Sequence, residues 1–481
     1  MKDKLIINKN TKFPCKINGK IHFIGLGGIG MSGLAKFLLE LGYRVSGSDV
    51  KDGAEMFSIA ALGGTVFIGH SEKNIGDASI IVASSAIKAS NPEIAEAQRR
   101  NLPILHRSQL LEALMSGLGL EEDGKQISIG VSGTHGKTTT TGMISLIFED
   151  AELNPSIVVG GQMPHLNTNS KFGKGGYFIA ELDESDGTIE LYAPDISVIT
   201  NLELDHPDYY TGGFNQLLET FENYIYKLKK NSKIIINTDC KGNRELLARI
   251  NHPEIITYSL DNNNAVYTVN EVSVKGLDTK ANIYKNNNFI GEIKLCVPGR
   301  HNISNALAAV AAALECGIEF EKIADSLARF TGMKRRFQIL GCVNSIQIIN
   351  DYAHHPTELK TTLKAAKEIV ESNQTGRVIA IFQPHRYSRL ANFWDDFIQS
   401  FKDADIVYIC DVYAAGEKPV ENISAERLSR EIIHDKVYYA QGPMERIPDI
   451  VCPELKPDDM VLTIGAGNIT KLGYVLIEKL R

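Results

Sequence analysis

The sequence predicts an α/β protein of three units in series, and three observations carry that expectation. Short apolar runs of strand character alternate with helix-length segments along most of the chain. Two glycine turns, Gly25–Gly30 and Gly133–Gly136, each stand between such a run and a helical segment. The length of 481 residues suits about three domains. The expected divisions are 1–117, 118–332 and 333–481, each with a mostly parallel sheet.

In the first unit, Ile21–Ile24 reads as a strand and Met31–Leu41 as the helix after the turn. Gly25, Gly27 and Gly30 fit G-x-G-x-x-G, with Gly28 inside the loop. A second strand, Arg44–Ser48, ends at Asp49, where a ribose-binding acid belongs. Taken alone this is a dinucleotide fingerprint. The loop suits any diphosphate at a helix N-terminus, however, and a nucleotide-linked substrate beside ATP is simpler than two nucleotide cofactors. Further strands are expected at Thr65–Ile68, Ser79–Ser84 and Pro103–Leu105, before a polar linker at Gly117–Lys125.

The second unit opens on Ser128–Ser132 and the loop Gly133-Thr134-His135-Gly136-Lys137-Thr138-Thr139. This is a shortened phosphate cradle, since Val131 stands where the usual pattern has glycine. Backbone N–H groups can meet phosphate oxygens, Lys137 can reach the terminal phosphates and the Thr138 hydroxyl can hold magnesium. The competing reading is a chance glycine turn. Strands are expected at Tyr177–Ala180, Ile196–Thr200 and Lys233–Asn237. The first runs into Glu181–Asp186, four carboxylates in six residues, which suits a hard cation or a solvated turn. The next runs into Asn201–Asp208, where His206 is equally a structural histidine or a ligand. Val266–Leu295 reads as a small antiparallel insert. Arg300-His301-Asn302 precedes an alanine-rich helix at Ser304–Leu314 and suits either a base contact or a helix cap.

Thr331–Arg336 looks like a hinge into the third unit. Its strands are expected at Gln347–Ile349, Val378–Phe382, Ile406–Cys410 and Val461–Ile464. The first opens into Asp351–Glu358 and the second into Gln383–Arg389. In open parallel sheets ligands bind beyond the carboxyl ends of strands, so Arg386, Arg389, His385 and His354 could grip a carboxylate and steer an amine. A solvated loop is the alternative.

Composition narrows the classes. Hydrophobic content of 43% and charged content of 23% describe an ordinary globular chain. A net charge of −7 without a long basic block makes nucleic acid an unexpected partner. Met1–Lys12 is polar, so no secretory leader is expected and the location expected is cytoplasmic. Ile21–Leu41 is broken by glycines and Lys36 and is not a membrane span. Seven scattered cysteines without C-x-x-C fit reduced thiols better than disulfides or zinc.

Together these motifs resemble the Mur ligase family, in order and over nearly the whole chain: Gly25–Gly33, Gly133–Thr138, Glu181–Asp186, Asp205-His206, Gly299–Asn302, Lys334–Phe337, Asp351–Glu358, Gln383–Arg389 and Gly465–Asn468. The resemblance implies a Rossmann-like N-terminal domain for a UDP-sugar, a central P-loop-type ATPase domain and a Rossmann-like C-terminal domain that receives the amino acid and covers ATP. It implies that ATP phosphorylates the lactyl carboxylate of UDP-N-acetylmuramate and that L-alanine attacks the acyl phosphate. It implies two magnesium ions, with manganese as an alternative, on Thr138, Glu181 and His206. His301, Asn302, Arg336 and Asp351 would then meet the nucleotide of ATP. Tyr352, His354, His385, Arg386 and Arg389 would line the amino-acid pocket. The first glycine loop with Ser48, Asp49, His70, Ser84–Ile87 (Ser85 included) and Arg107 would hold the UDP-sugar. A monomer or weak homodimer is expected. Ala353 and Asn468 depart from residues common in the family at those places. Three rivals remain at this point: a ligase that attaches a recycled peptide to the same sugar, an NAD-dependent dehydrogenase, and a non-catalytic nucleotide binder.

Overall fold

The computed structural model describes residues 5, 7–8, 11–14, 17, 19–119, 126–207 and 209–481. Met1–Lys4, Ile6, Lys9, Asn10, Cys15, Lys16, Asn18, Asp208 and the part of the expected linker from Leu120 to Lys125 lie outside the described residues. The chain forms two compact units: one runs to Tyr267 and takes in Ala308–Ile323, the other comprises Thr268–Leu307 and Ala324–Arg481.

The first unit holds two sheets. One is five-stranded and parallel, in the spatial order Thr65–Ile68, Arg44–Asp49, Lys20–Ile24, Ala78–Ala83, Ile104–His106. The other places Ile255–Ser259, Lys233–Asn237, Ile196–Ile199, Ile127–Ser132, Tyr177–Glu181 and Ser156–Met163 side by side in parallel. Thr168–Lys171 closes that edge in the antiparallel sense. The inner strands Lys20–Ile24, Ala78–Ala83, Ile127–Ser132 and Ile196–Ile199 are largely buried, as βαβ crossovers require, whereas the edge strand Thr65–Ile68 is partly exposed. The helix Ile29–Glu40 links the two sheets: Phe37 meets Phe172 and Phe178, ring centroids 5.7 and 5.4 Å away. Beside it the buried Lys36 ammonium reaches Glu55 at 2.5 Å and Asn169 Oδ1 at 3.0 Å, and Asn169 Nδ2 donates to the Ile29 carbonyl at 2.6 Å.

In the second unit the main sheet runs Gln338–Val343, Ile346–Asp351, Met460–Ile464, Val378–Phe382, Ile406–Cys410, Val437–Ala440. All its pairs are parallel except the first. The expected insert is present as Tyr267–Lys275, Asp278–Lys285 and Asn288–Leu295, the last two paired antiparallel. The alanine-rich helix is longer than the sequence suggested and starts at Arg300, so Asn302 is a helical residue and not its cap. Among the described residues no helix is long and apolar enough to cross a membrane.

Candidate active site

The buried strand Ile127–Ser132 delivers the chain into Gly133 at φ +117°, where a Cβ would stand 2.7 Å from the Asn201 carbonyl. Only glycine turns there without strain. Gly136, at φ +82°, heads the helix Lys137–Asp150 and offers no side-chain cap, so the first N–H groups of that helix face outward for an anion. The Thr138 hydroxyl donates to Glu181 Oε1 at 3.0 Å, and the Gly160 N–H donates to Glu181 Oε2 at 2.7 Å. A hydroxyl and a carboxylate brought together beside an anion cradle fit a hard divalent cation.

Lys137 folds back on its own loop. Its ammonium donates to the carbonyls of Gly133 and Thr134 and pairs with Glu184 at 3.0 Å. Burial alone would lower the Lys137 pKa, but Glu184, Asp183 and Glu181 raise it above the ordinary lysine value. Burial pushes the Glu184 carboxyl up to about 7 against the pull of Lys137. Asp183 is desolvated too, yet Arg107 and Lys137 hold it well below the usual carboxylate range. Arg107 donates to the Asp183 carboxylate and Ser85 to that of Asp186, and His106 Nε2 lies 3.3 Å from Asp186. The acidic turn after Tyr177–Glu181 is therefore met by residues from the end of the first sheet.

His206 takes φ +57° next to Asp205, its Nε2 3.4 Å from that carboxylate, and is among the groups that lower Asp183. His135 donates its backbone N–H to Asn201 at 2.9 Å, and its ring lies 3.5 Å from Glu203. Thr139 is nearly buried in the first turn of the helix.

At the first glycine loop, the N–H groups of Gly25 and Leu26 donate to the Ser48 carbonyl, and that of Gly27 to Asp49 Oδ2 at 2.9 Å. A Cβ on Gly30 would lie 3.3 Å from Arg107 Nη1, which sets Arg107 against the start of the helix. Ser84 accepts from the Ile87 N–H in the turn after Ala78–Ala83.

In the second unit, the carboxyl ends of the strands gather an aromatic and basic cluster. The Arg335 and Arg336 guanidinium groups stand 4.4 and 5.1 Å from the centre of the Tyr352 ring. Tyr352 and His354 pack edge to face at 5.2 Å, and His354 lies 6.1 Å from His385. His385 stacks on Tyr413 at 5.6 Å. Burial, with Arg389 and Arg386, pushes the His385 imidazole down to about 4, and its buried Nδ1 has no hydrogen-bond partner among the described residues. Arg386 takes φ +68°, donates its N–H to the Tyr413 carbonyl at 2.8 Å and leaves its buried Nε without a partner among the described residues.

Two other expected residues have internal bonds. Asp351 accepts the N–H groups of Phe337 and Ala353, both at 2.7 Å. Asn302 donates to the Pro298 carbonyl at 2.7 Å and accepts from Asn305 at 3.2 Å. His301 is pushed down to about 4 by burial and by Arg336.

Sequence reasoning missed Tyr413 and Glu93. Tyr413 follows the strand Ile406–Cys410, so inspection of that strand's carboxyl end could have found it. Glu93 stands in a helix first turn and carried no signal.

The chain matches three family descriptions: "Mur ligase family, catalytic domain" over residues 20–118, "Mur ligase middle domain" over 131–313 and "Mur ligase, glutamate ligase domain" over 335–467. It is 44% identical to the UDP-N-acetylmuramate--L-alanine ligase of Pelotomaculum thermopropionicum, over 96% of this chain and 97% of that one. It is 39% identical to the enzyme of the same name from Geobacter sulfurreducens, over 96% and 97%. The crystal structure of the UDP-N-acetylmuramate-alanine ligase of Thermotoga maritima superimposes with a TM-score of 0.81 at 27% identity, covering 96% of this chain and 99% of that one. A murein peptide ligase of Psychrobacter arcticus shares the fold, with a TM-score of 0.71 at 24% identity and coverage of 96% and 99%.

Proposed function

This chain belongs to the Mur ligase family, and on that premise we infer that it joins L-alanine to the lactyl carboxylate of UDP-N-acetylmuramate, converting ATP to ADP and phosphate. The product is a peptidoglycan precursor. The observation that carries the chemistry is the convergence of the Gly133–Thr138 cradle, the Thr138–Glu181 pair and the Lys137 ammonium in one place.

A carboxylate is a poor electrophile, so the carboxylate oxygen first attacks the γ-phosphorus and ADP leaves. The alanine nitrogen then attacks the acyl carbon, the tetrahedral intermediate collapses, inorganic phosphate departs and the amine loses its proton. Lys137 exchanges its loop carbonyls for the terminal phosphates and offsets charge in the first step. Thr138 and Glu181 would hold one magnesium ion, or manganese in its place, and His206 would hold a second. Such ions supply charge neutralisation between the phosphate and the incoming carboxylate.

Ser85 and Arg107 bring the sugar end of the substrate to the acidic turn they already touch. The loop glycines, Ser48, Asp49, His70 and Ser84 hold the UDP portion. His301, Asn302, Arg336 and Asp351 frame the nucleotide of ATP; Asn302 and Asp351 do so by fixing backbone, the one through the Pro298 carbonyl and the other through the Phe337 and Ala353 N–H groups. Arg386 and Arg389 take the alanine carboxylate. Tyr352, His354 and the neutral His385 surround its nitrogen, and His385 Nδ1, which has no partner among the described residues, is open to a contact with the amine. We place the three domains at 1–117, 118–332 and 333–481, and the location that suits these substrates is the cytoplasm.

The test is phosphate release from ATP and magnesium with UDP-N-acetylmuramate, with L-alanine or a tripeptide added in parallel. Release that needs both the sugar and L-alanine is the expected result. Release with the tripeptide alone would move the chain to the recycling branch, and release with neither would give the ATP loop a different acceptor.

A further inference from the structure

Glu93 sits in the first turn of the helix Pro92–Arg99 and is fully buried, as is His22 on the neighbouring strand. A buried acid of this kind is retained only where it is fully bonded. Its Oε1 accepts from Asn74 Nδ2 at 2.7 Å and from the Ser71 N–H at 3.2 Å. Its Oε2 accepts from the Ser48 hydroxyl at 2.6 Å and lies 3.5 Å from His22 Nε2 and 3.4 Å from His70 Nδ1. Despite burial, these donors hold the Glu93 carboxyl down at about 2. It is therefore an ionised acceptor with no proton to give.

That fact fixes the protons around it. Ser48 has one hydroxyl hydrogen and donates it to Glu93. Ser48 Oγ also lies 2.9 Å from His70 Nδ1, so in that contact the imidazole must donate. A neutral His70 that carries its hydrogen on Nδ1 has a bare lone pair on Nε2. The Nδ1 edge is turned to Ser48 and Glu93, and the side chain keeps 18% exposure.

Position says what meets that lone pair. The phosphate loop follows the central strand Lys20–Ile24, Asp49 ends the next strand, and His70 stands just past the edge strand Thr65–Ile68. Diphosphate, ribose and base follow one another outward across such a sheet. The Gly69 N–H donates to the Asp49 carbonyl at 2.7 Å, which fixes the His70 loop beside the ribose acid. A lone pair repels phosphate oxygens and accepts from an N–H donor. Uracil offers N3–H at its ring edge, whereas cytosine offers an N3 acceptor there and carries its N–H donors one position away on N4, so an Nε2 lone pair set against N3 accepts from uracil and is opposed by cytosine.

We propose that Glu93 is a positioning residue which, through Ser48, holds His70 with Nε2 as an acceptor, and that His70 thereby selects uridine over cytidine nucleotides. This rests on the reading that the crevice of the first sheet takes the UDP-sugar.

The test uses the full chain at about pH 8, where an ordinary imidazole is neutral. UDP and CDP are titrated calorimetrically into the wild-type, Glu93→Gln and His70→Gln proteins, and UDP-N-acetylmuramate into the wild type. Histidine nitrogen chemical shifts of the wild type are recorded, with the His70 signals assigned by their loss in His70→Gln. The wild type should bind UDP at least about tenfold more tightly than CDP, and the ratio should fall toward one in both variants. The His70 signals of the wild type should report Nδ1–H and a bare Nε2. For Glu93→Gln, the KM for UDP-N-acetylmuramate should rise about tenfold with kcat and the ATP KM nearly unchanged, a split that general loosening of the fold would not give.

An unchanged UDP-to-CDP ratio in the variants overturns the proposal. So does an Nε2–H signature in the wild type, which needs no variant to fold. A wild-type chain that binds neither UDP nor UDP-N-acetylmuramate overturns the assignment of the crevice itself and this proposal with it.

Discussion

Lys137 is held by its own loop carbonyls and by Glu184, so at the residue scale its substitution tests chemistry apart from sugar binding. Lys137→Ala should lower turnover by about a thousandfold or more while calorimetry finds UDP-N-acetylmuramate binding nearly unchanged. Loss of sugar binding to the same degree would contradict the division of labour between the two glycine loops. Arg386→Ala should raise the alanine KM by about tenfold or more, since a charged donor to a carboxylate is removed. Unchanged alanine kinetics would take Arg386 out of the pocket. Glu93 also makes a pH prediction. Its pKa falls from 4.5 to about 2 on folding, so it contributes roughly 3 kcal/mol of stability, present above about pH 4.5 and lost as pH falls through 2. Between pH 6 and 3, the denaturant midpoint of the wild type should fall further than that of Glu93→Gln. Equal falls would deny Glu93 that share.

At the scale of elements, both glycine loops work by geometry that no side chain could supply. Gly133 combines a positive φ with the close Asn201 carbonyl. Gly133→Ala should cost about 1–3 kcal/mol in strain and weaken ATP binding by about tenfold or more, read by melting temperature and by nucleotide titration. Intact nucleotide binding would mean the loop is not the cradle. Strand and loop order here were legible because apolar runs, glycines and the Lys-Thr pair are local signals. The hairpin of Ser156–Met163 and Thr168–Lys171 was not, because Gly160, Gly161 and its polar residues break the alternation that marks a strand. The helix start at Arg300 was missed for a related reason: His301 and Asn302 read as a cap or a contact, whereas the Asn302 amide is bonded to Pro298 and Asn305 inside the helix.

At the scale of the whole molecule, the first compact unit joins two sheets through the helix Ile29–Glu40, and its polar link is Lys36–Glu55–Asn169. Asn169→Ala would leave the Ile29 carbonyl and the Lys36 ammonium each short of a partner. It should lower unfolding free energy by about 1–3 kcal/mol in a urea titration, and no change would remove the link from the fold's support. The sequence by itself determined the order of α/β units, both glycine loops, the acidic turn and the two polar clusters of the last unit, because strand periodicity, glycine and charge act over a few neighbouring residues. Only the tertiary structure decided that Arg107 meets Asp183, that His385 stacks on Tyr413, and that Ser48 stands between Glu93 and His70. Those pairs lie far apart in the chain, and their protonation follows from burial and from partners that folding alone brings into reach.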